Sequence, residues 1–178
     1  MKDEVVKKDH SEDEISLYAL HEYGEVYDSF SWKSIEKEYI HDDGSLNAAY
    51  VAVDRHLGTW RKNKVALIFE DDAGVVEKFT FEELSVLSSK VGTILKDFGA
   101  QRGDRIFLFL PRTLYLYISF LAVLKIGCVA GALFSAFQEQ ALFDRLENSG
   151  ASIVLTTSEL LPRFKNIRKK LPELKHIL

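Results

Sequence analysis

The sequence predicts an α/β fold in which a doubly wound, mostly parallel sheet follows a helical N-terminal region and a β-hairpin. Two observations carry this prediction. Short apolar segments alternate with helical segments through the second half of the chain, and these segments are continuously apolar, as in strands whose two faces are both covered by helices. The 178 residues are 47% hydrophobic and 28% charged, which is typical of a soluble globular protein. That length fits one domain or slightly more.

The chain begins with an acidic segment. Residues 1–28 carry nine acidic side chains against three lysines, a local charge of −6. We expect a charged N-terminal arm over residues 1–30 that is frayed or laid over a surface. From Ser31 onward, helical spacing places three apolar residues on one face: Trp32, Ile35 and Tyr39. Asn47 then predicts the N-cap of a second helix, whose apolar face is Tyr50, Val53, Leu57 and Trp60.

A hairpin and a long helix come next. The segments 64–69 and 75–81 have the composition of strands, and the turn residues 71–74 between them predict a β-hairpin. Thr80 and Glu83 fit a capping box, in which each side chain bonds the other residue's backbone amide. The helix that follows has one apolar face: Leu84, Leu87, Val91, Ile94, Leu95 and Phe98. Gly99 stands where a left-handed residue is needed to end it.

The second half alternates strands and helices. Strands are predicted over 105–110, 128–134 and 152–156, and helices over 114–126, 138–148 and 158–170. Residues His176 to Leu178 look like the start of another strand. Because a parallel sheet that stops as a crossover completes is seldom a finished domain, we expect residues 31–178 to be the first part of a larger one.

Charge and composition exclude several classes of partner and location. A formal charge of −4 and an isoelectric point near 5.8 give no general attraction to nucleic acid or to anionic membranes. The N-terminus lacks the apolar stretch of about 7–15 residues of a secretory signal, and the lone Cys128 cannot form an internal disulfide, so we expect a cytoplasmic protein. Charged and turn residues divide the apolar region 106–134 into pieces shorter than the roughly 18 residues of a membrane span.

The sequence contains no complete catalytic constellation. The ten glycines form neither a dinucleotide fingerprint nor a phosphate-binding loop, and Cys and His do not cluster at metal-ligand spacing. Asp54, Arg55 and His56 either meet a substrate or anchor their helix by hydrogen bonds; anchoring is the simpler interpretation, because Asp54 and His56 point about 200° apart on a helix. The remaining histidines are interpreted as isolated surface residues: His10, His21, His41 and His176.

Two segments are candidate ligand sites. Residues Phe134 to Phe137 follow a predicted strand at its carboxyl end, where open α/β sheets bind ligands, and the small Ser135 and Ala136 allow close approach. The alternative is an ordinary connection that contributes two core phenylalanines. Further on, a basic run has a local charge of +5 and is either a phosphate site or a solvated helix face. It comprises Arg163, Lys165, Arg168, Lys169, Lys170 and Lys175, against Glu173.

An ordered set of motifs resembles the AMP-forming acyl-CoA synthetase family of adenylate-forming ligases, and within it the acetyl-CoA synthetases. The set spans residues 31–178 but only about the first third of the family's length. Its members are Asn47-Ala-Ala-Tyr50 with Asp54-Arg55-His56, Phe79-Thr-Phe-Glu-Glu-Leu84, Gly103-Asp104-Arg105, Leu108-Phe-Leu-Pro-Arg112, Leu124-Lys-Ile-Gly127, Leu133-Phe-Ser-Ala-Phe137, Asp144-Arg-Leu-Glu-Asn-Ser149 and Thr156-Thr-Ser-Glu-Leu-Leu161.

The resemblance implies a ligase that activates acetate or another short carboxylate with ATP and Mg, then transfers the acyl group to coenzyme A. The family's ATP-binding and catalytic motifs lie beyond these segments, so no catalytic residue is assigned and the chain alone is expected to be inactive. For coenzyme A, the resemblance implies a site at Ser135 and Ala136, which replace the two glycines of a family F-G-G-F segment. It also implies phosphate contacts from Arg163 and Lys165.

A different class of function stays open at this point. The chain would then be a stand-alone truncated homologue that binds coenzyme A, a nucleotide or a partner protein. A sheet without its later strands would leave an open edge and apolar helix surface, so we also expect self-association.

Overall fold

The computed structural model describes residues 23–40 and 44–178, which fall into two compact units, Met1–Ser45 and Leu46–Leu178. In the first unit, helix α1 spans Tyr23–Ser29 and helix α2 spans Trp32–Tyr39. Helix α2 confirms the helical spacing that starts after Ser31. The expected frayed arm lies outside the described residues up to position 22, and its last part is helical.

The second unit contains the predicted hairpin and the predicted alternation of strands and helices. Its helices and strands are α3 (Ala48–Ala52), β1 (Val65–Glu70), β2 (Val76–Thr80), α4 (Phe81–Asp97), β3 (Arg105–Phe109), α5 (Leu114–Lys125), β4 (Val129–Ala132), α6 (Glu139–Ser149), β5 (Ile153–Thr156) and β6 (His176–Ile177). Short 3₁₀ helices cover Asp54–Gly58, Trp60–Asn63, Leu161–Phe164 and Arg168–Lys170.

Four strands form the parallel sheet in the order β4-β3-β5-β6, and β1 and β2 form a separate antiparallel pair. In the register, Phe107 of β3 lies beside Gly131 of β4 and beside Val154 of β5. The two residues of β6 pair with β5, so the strand expected at the end of the chain is confirmed. Each crossover between parallel strands carries helical structure, as βαβ connections require.

Both faces of the sheet are covered, which confirms the doubly wound prediction. Alternate residues of β3 point to opposite faces. Ile106 and Leu108 join a buried cluster with Leu95 of α4 and Val123 of α5. On the other face, Phe109 packs with residues of α6 and of the segment that follows β5: Leu142, Leu146, Phe164, Ile167, Leu171 and Leu174. A third cluster packs the hairpin against α4 and α5 through Leu84 and Ile118.

Helix α4 starts and ends as predicted. The Thr80 hydroxyl accepts the Glu83 amide at 3.2 Å, and Glu83 accepts the Thr80 amide at 2.8 Å, which completes the capping box. These bonds lower the pKa of the Glu83 carboxyl. Gly99 has a φ of +85° just after the helix, a conformation that costs a residue with a Cβ about 1 kcal/mol or more. Local signals therefore determine both ends of this helix.

The predicted helix over residues 158–170 is wrong. Two short 3₁₀ helices, Leu161–Phe164 and Arg168–Lys170, stand in its place. Pro162 has no amide hydrogen and is tolerated only in the first turn of a helix, so an α-helix cannot run through it from Ser158. Pro172 restricts Leu171 to non-helical backbone, with φ −113° and ψ 81°. The basic side chains of this segment therefore do not share one helix face.

Three further expectations need correction. Asn47 caps α3 as predicted, but the helix ends at Ala52 and Trp60 is 73% exposed, so the expected apolar face is not continuous. Ile94 of α4 and Phe98, which follows the helix, are exposed rather than buried. His176 is half-buried in β6, with its ring 5.2 Å from that of Phe98. Within residues 23–40 and 44–178, no helix is long and apolar enough to cross a membrane.

Candidate functional site

The candidate ligand site is the loop between β4 and α6, at the carboxyl edge of the sheet. Ala136 is exposed and Ser135 is half-buried. Phe134 is 62% exposed, and its ring meets Phe137 edge-on with the centroids 5.9 Å apart. The alternative in which both phenylalanines belong to the core is therefore wrong for Phe134. Small side chains and an accessible backbone stand where parallel α/β sheets bind their ligands.

Arg163 reaches this loop from the 3₁₀ helix that follows β5. Its Nη1 donates to the carbonyl oxygens of Ser135 and Phe137, the latter at 2.8 Å. The guanidinium carbon lies 5.6 Å from the centre of the Phe109 ring, a cation–π distance. The structure thus brings together three of the four predicted site residues: Ser135, Ala136 and Arg163.

Two residues that sequence reasoning missed support the same loop. The Arg145 guanidinium lies 4.2 Å from the centre of the Phe137 ring. Asn166 donates from Nδ2 to both carboxylate oxygens of Glu139, at 2.9 and 3.0 Å, and so ties the start of α6 to the segment after β5. No sequence signal identifies Phe137 and Glu139 as the partners of Arg145 and Asn166, because each contact depends on how α6 packs against its surroundings.

Lys165, the fourth predicted residue, lies beside a groove whose lining does not include Arg163. Lys165 is exposed and lines this groove of about 510 Å³ together with Phe164, Arg168 and Lys169. The Arg168 guanidinium donates to the carbonyls of Leu171 and Lys175, at 3.4 and 3.0 Å. Arg168 thus stabilises its own loop, whereas Lys165 and Lys169 are exposed at the groove.

The end of β5 contributes two threonines to this edge of the sheet. The Thr156 hydroxyl donates to the carbonyl of Phe109 at 2.9 Å, which joins the ends of β5 and β3. The Thr157 hydroxyl oxygen is buried and has no hydrogen-bond partner among the described residues. Among residues 23–40 and 44–178, no group of three or more His, Cys, Asp or Glu side chains could hold a metal ion.

The Asp54-Arg55-His56 motif lies in an anchoring cluster rather than at this edge. Lys125, the last residue of α5, donates from Nζ to Asp54 Oδ1 at 2.9 Å and to the Ser89 hydroxyl at 3.0 Å. The same Asp54 oxygen accepts the Ser85 hydroxyl at 2.6 Å. Asn47 donates to the carbonyls of Leu124 and Lys125, both at 3.1 Å. These contacts favour the anchoring interpretation of the motif.

Besides Glu83, two titratable side chains of the second unit have pKa values shifted by their surroundings. Desolvation lowers the pKa of His56, and the charges of Arg55 and Arg61 lower it further, so the neutral imidazole is favoured beside the Phe81 ring. Desolvation raises the pKa of Cys128, whose thiol donates to the carbonyl of Gln101 at 3.1 Å. Neither group lies in the β4–α6 loop.

Comparison with known proteins assigns the family. A model of the family described as "AMP-binding enzyme" matches residues 53–178. The chain belongs to the AMP-binding enzyme family. This match covers both parts of the candidate site, the β4–α6 loop and the segment after β5.

Individual relatives of this AMP-binding family member are coenzyme A synthetases by name. The acetyl-coenzyme A synthetase of Bacillus subtilis (strain 168) is 48% identical over 160 residues, which cover 89% of this chain and 27% of that protein. The 3-hydroxypropionyl-coenzyme A synthetase of Sulfurisphaera tokodaii is 36% identical over 127 residues, 71% of this chain and 19% of that protein. The chain thus spans between 19% and 27% of the length of these curated relatives.

Solved structures show the same fold. The crystal structure of Brucella canis acyl-CoA synthetase superposes with a TM-score of 0.73 at 28% identity, covering 87% of this chain and 28% of that one. The anthranilate CoA ligase AuaEII, solved with anthranoyl-AMP, superposes with a TM-score of 0.64 at 29% identity, covering 72% of this chain and 24% of that one. These comparisons confirm the family resemblance and the α/β fold expected of its N-terminal part.

Proposed function

We propose that this chain is the N-terminal portion of an AMP-forming acetyl-CoA synthetase, which converts acetate, ATP and coenzyme A into acetyl-CoA, AMP and pyrophosphate. The observation that carries the proposal is the 48% identity to an acetyl-coenzyme A synthetase over 89% of the chain. Residues 31–178 are then the first part of the AMP-binding domain, preceded by a charged arm over 1–30. ATP and Mg would be held by the remainder of the full-length enzyme.

Coenzyme A is the one substrate for which we propose residues of this chain. Ser135 and Ala136 offer an accessible backbone at the carboxyl edge of the sheet, Arg163 contacts that backbone, and Lys165 supplies an exposed positive charge nearby in sequence. A phosphate bound by such a cation forms a charge-assisted bond of about 1.5–3 kcal/mol when the geometry is good. The nucleotide end of coenzyme A carries the phosphates that this arrangement fits.

The coenzyme A site is tested by nuclear magnetic resonance on the ¹⁵N-labelled chain. Adding coenzyme A is expected to shift the amide resonances of Ser135 and Ala136, and Lys165→Gln is expected to weaken binding roughly tenfold, since about 1.4 kcal/mol corresponds to a factor of ten. Lys78→Gln, on the hairpin, is the matched control and should leave the affinity unchanged. Equal loss in both variants would show that coenzyme A responds only to net charge.

The isolated chain is expected to lack adenylation activity. The step that forms the acyl-adenylate needs preorganised groups that stabilise the charge on the transferring phosphates, and we assign no such groups to these residues. Acetate-dependent exchange of pyrophosphate into ATP should stay at background for the purified chain, with the Bacillus subtilis acetyl-coenzyme A synthetase as positive control. Exchange above background that scales with chain concentration would contradict the proposal.

The alternative proposal is a stand-alone truncated homologue that binds coenzyme A, a nucleotide or a partner chain. Mature transcripts separate the two proposals: an open reading frame that continues past Leu178 into a phosphate-binding loop supports the enzyme. We further propose that the isolated chain associates with itself through exposed apolar surface. A cytoplasmic location belongs to both proposals and agrees with the free, buried thiol of Cys128.

A further inference from the structure

The guanidinium of Arg163 is already engaged by protein groups, unlike that of an arginine whose donors are available to bind a phosphate. Its Nη1 donates to two carbonyl oxygens of the β4–α6 loop, those of Ser135 and Phe137. Each is a hydrogen bond between a charged donor and a backbone acceptor, the stronger kind in proteins. The guanidinium also lies over the Phe109 ring, and Phe109 is fully buried. Arg163 is therefore held between the core and the loop.

The loop also depends on contacts near Arg163. Asn166, three residues further on, holds Glu139 at the start of α6. Within the loop, the Phe137 amide donates to the Phe134 carbonyl at 2.9 Å and closes a tight turn around Ser135 and Ala136. Two residues of the segment after β5 thus hold the loop. Arg163 bonds carbonyl oxygens of the turn, and Asn166 bonds Glu139 just beyond it. The backbone of the turn is fixed from outside rather than by its own small side chains.

We infer that Arg163 is a positioning residue, which sets the Ser135–Phe137 backbone for coenzyme A instead of binding its phosphates. The inference rests on the proposed coenzyme A site. It assigns different roles to Arg163 and Lys165, two cations that lie two residues apart in the sequence. Arg163 fixes the shape of the turn, and Lys165, exposed and outside these contacts, supplies charge to the nucleotide end of the ligand.

Hydrogen exchange of the Phe137 amide tests the inference without any ligand. The variant Arg163→Lys keeps the charge, but a compact ammonium lacks the planar fork and stacking surface of arginine. Losing these charge-assisted bonds should accelerate exchange of this amide by about tenfold or more. The buried Leu108 amide in β3 reports on global unfolding and should be unaffected. Lys165→Gln is the matched control and should leave Phe137 exchange unchanged.

A second variant covers the case in which Arg163→Lys loosens the whole fold. Asn166→Ala removes an exposed side chain and its bonds to Glu139 only, so the fold should persist. It is expected to accelerate exchange of the Phe137 amide a few-fold, consistent with loss of a weaker, exposed contact. Unchanged exchange of Phe137 in Arg163→Lys, or in Asn166→Ala where Arg163→Lys does not fold, overturns the inference.

Titration with two ligands then separates positioning from phosphate contact. Coenzyme A and 3′-dephospho-coenzyme A differ only in the 3′-phosphate. Arg163→Lys should weaken both by the same factor, whereas Lys165→Gln should weaken coenzyme A alone. Selective loss of coenzyme A in Arg163→Lys would make Arg163 a phosphate ligand and overturn the inference. If the unaltered chain binds neither compound, the coenzyme A proposal fails, and Phe137 exchange alone decides whether Arg163 positions the turn.

Discussion

At the scale of single residues, Gly131 of β4 lies against the ring of Phe107 on the neighbouring strand β3. The two residues are register partners, and the Phe107 ring covers the position that a Cβ on Gly131 would occupy. Three ring atoms lie in the way, and the ring packs against the core on the α6 side of the sheet. A larger residue at 131 would therefore displace an aromatic ring or separate the strands that lead to the candidate site.

The variant Gly131→Ala should lower the free energy of unfolding by about 1–3 kcal/mol, the usual cost of overpacking a core. Urea denaturation followed by circular dichroism measures the change. Gly58→Ala is the matched control, because Gly58 is exposed and a Cβ there meets nothing within 4 Å. Adding Phe107→Leu should remove most of the cost of Gly131→Ala. If Gly131→Ala is equally destabilising when Phe107→Leu has removed the ring, the destabilisation arises from the backbone instead.

Residue-scale predictability follows the range of the interaction. Thr80 and Glu83 satisfy each other's amides within one turn, so the sequence alone predicts their contact. The four coenzyme A candidates were predicted by resemblance, and the structure adds that Arg163 contacts the loop of Ser135. Asn166 and Arg145 could not be predicted, since their partners Glu139 and Phe137 become neighbours only when α6 packs against its surroundings.

At the scale of elements, hydrogen bonds and an ion pair connect the C-terminal turn of α5 to several other segments. Asn47 caps the start of α3 with its oxygen, and its amide nitrogen donates to the last carbonyls of α5. Lys125 in the same turn bonds Asp54, and also Ser85 and Ser89 of α4. The side chains of Lys125 and Asp54 are only 16% and 22% exposed. The mostly buried ion pair and the hydrogen bonds around it thus join α5 to α4 and to the 3₁₀ helix Asp54–Gly58.

A double-mutant cycle on this pair should give a large coupling. Breaking a buried ion pair leaves one charge uncompensated, so Lys125→Met and Asp54→Asn should each cost about 2–4 kcal/mol, and the double variant should cost clearly less than their sum. Urea denaturation of the four proteins measures the coupling. The Lys62–Glu82 pair has the same 2.9 Å separation but is about half exposed, and its coupling should stay below about 1 kcal/mol. Equal coupling energies for the two ion pairs would show that burial does not strengthen the Lys125–Asp54 interaction.

The segment after β5 shows what limits prediction at this scale. Its basic residues have spacings that suit a helix, yet Pro162 and Pro172 restrict the backbone to two separate 3₁₀ turns. The sequence contained this information, but the periodicity of the apolar and basic residues outweighed it. By contrast, the strands β3, β4 and β5 were predicted within one or two residues, because buried parallel strands are short, apolar and bounded by turn residues.

At the scale of the whole second unit, an apolar surface lies open among the described residues. A cavity of about 410 Å³ opens between the hairpin, α5 and β4, and its lining is almost entirely apolar: Ala66, Leu67, Leu84, Leu116, Tyr117, Phe120, Leu121 and Ala132. Next to it, β4 is the edge strand of the sheet that the described residues form, paired with β3, and its Val129 is 54% exposed. An apolar surface beside an unpaired strand edge favours association.

We predict that the isolated chain associates with a second copy through this surface. Burying apolar side chains contributes about 25 cal/mol per Å², and an open strand edge adds backbone hydrogen bonds, so both terms favour pairing of two copies. Sedimentation velocity should show a mass that rises with concentration. Val129→Lys and Phe120→Lys should each shift the chain toward monomer, because a charge at either position must be desolvated in the interface.

The matched control is Val86→Lys, since Val86 is 48% exposed on α4 and lies outside the lining of this cavity. It adds the same charge at similar exposure and should leave the association unchanged. If Val86→Lys dissociates the chain as effectively as Val129→Lys, repulsion by net charge rather than a defined interface governs the assembly. A monomer that unfolds cooperatively at the same midpoint over a hundredfold range of concentration would contradict self-association. That outcome would favour the stand-alone homologue, because the chain would then be stable with this surface exposed.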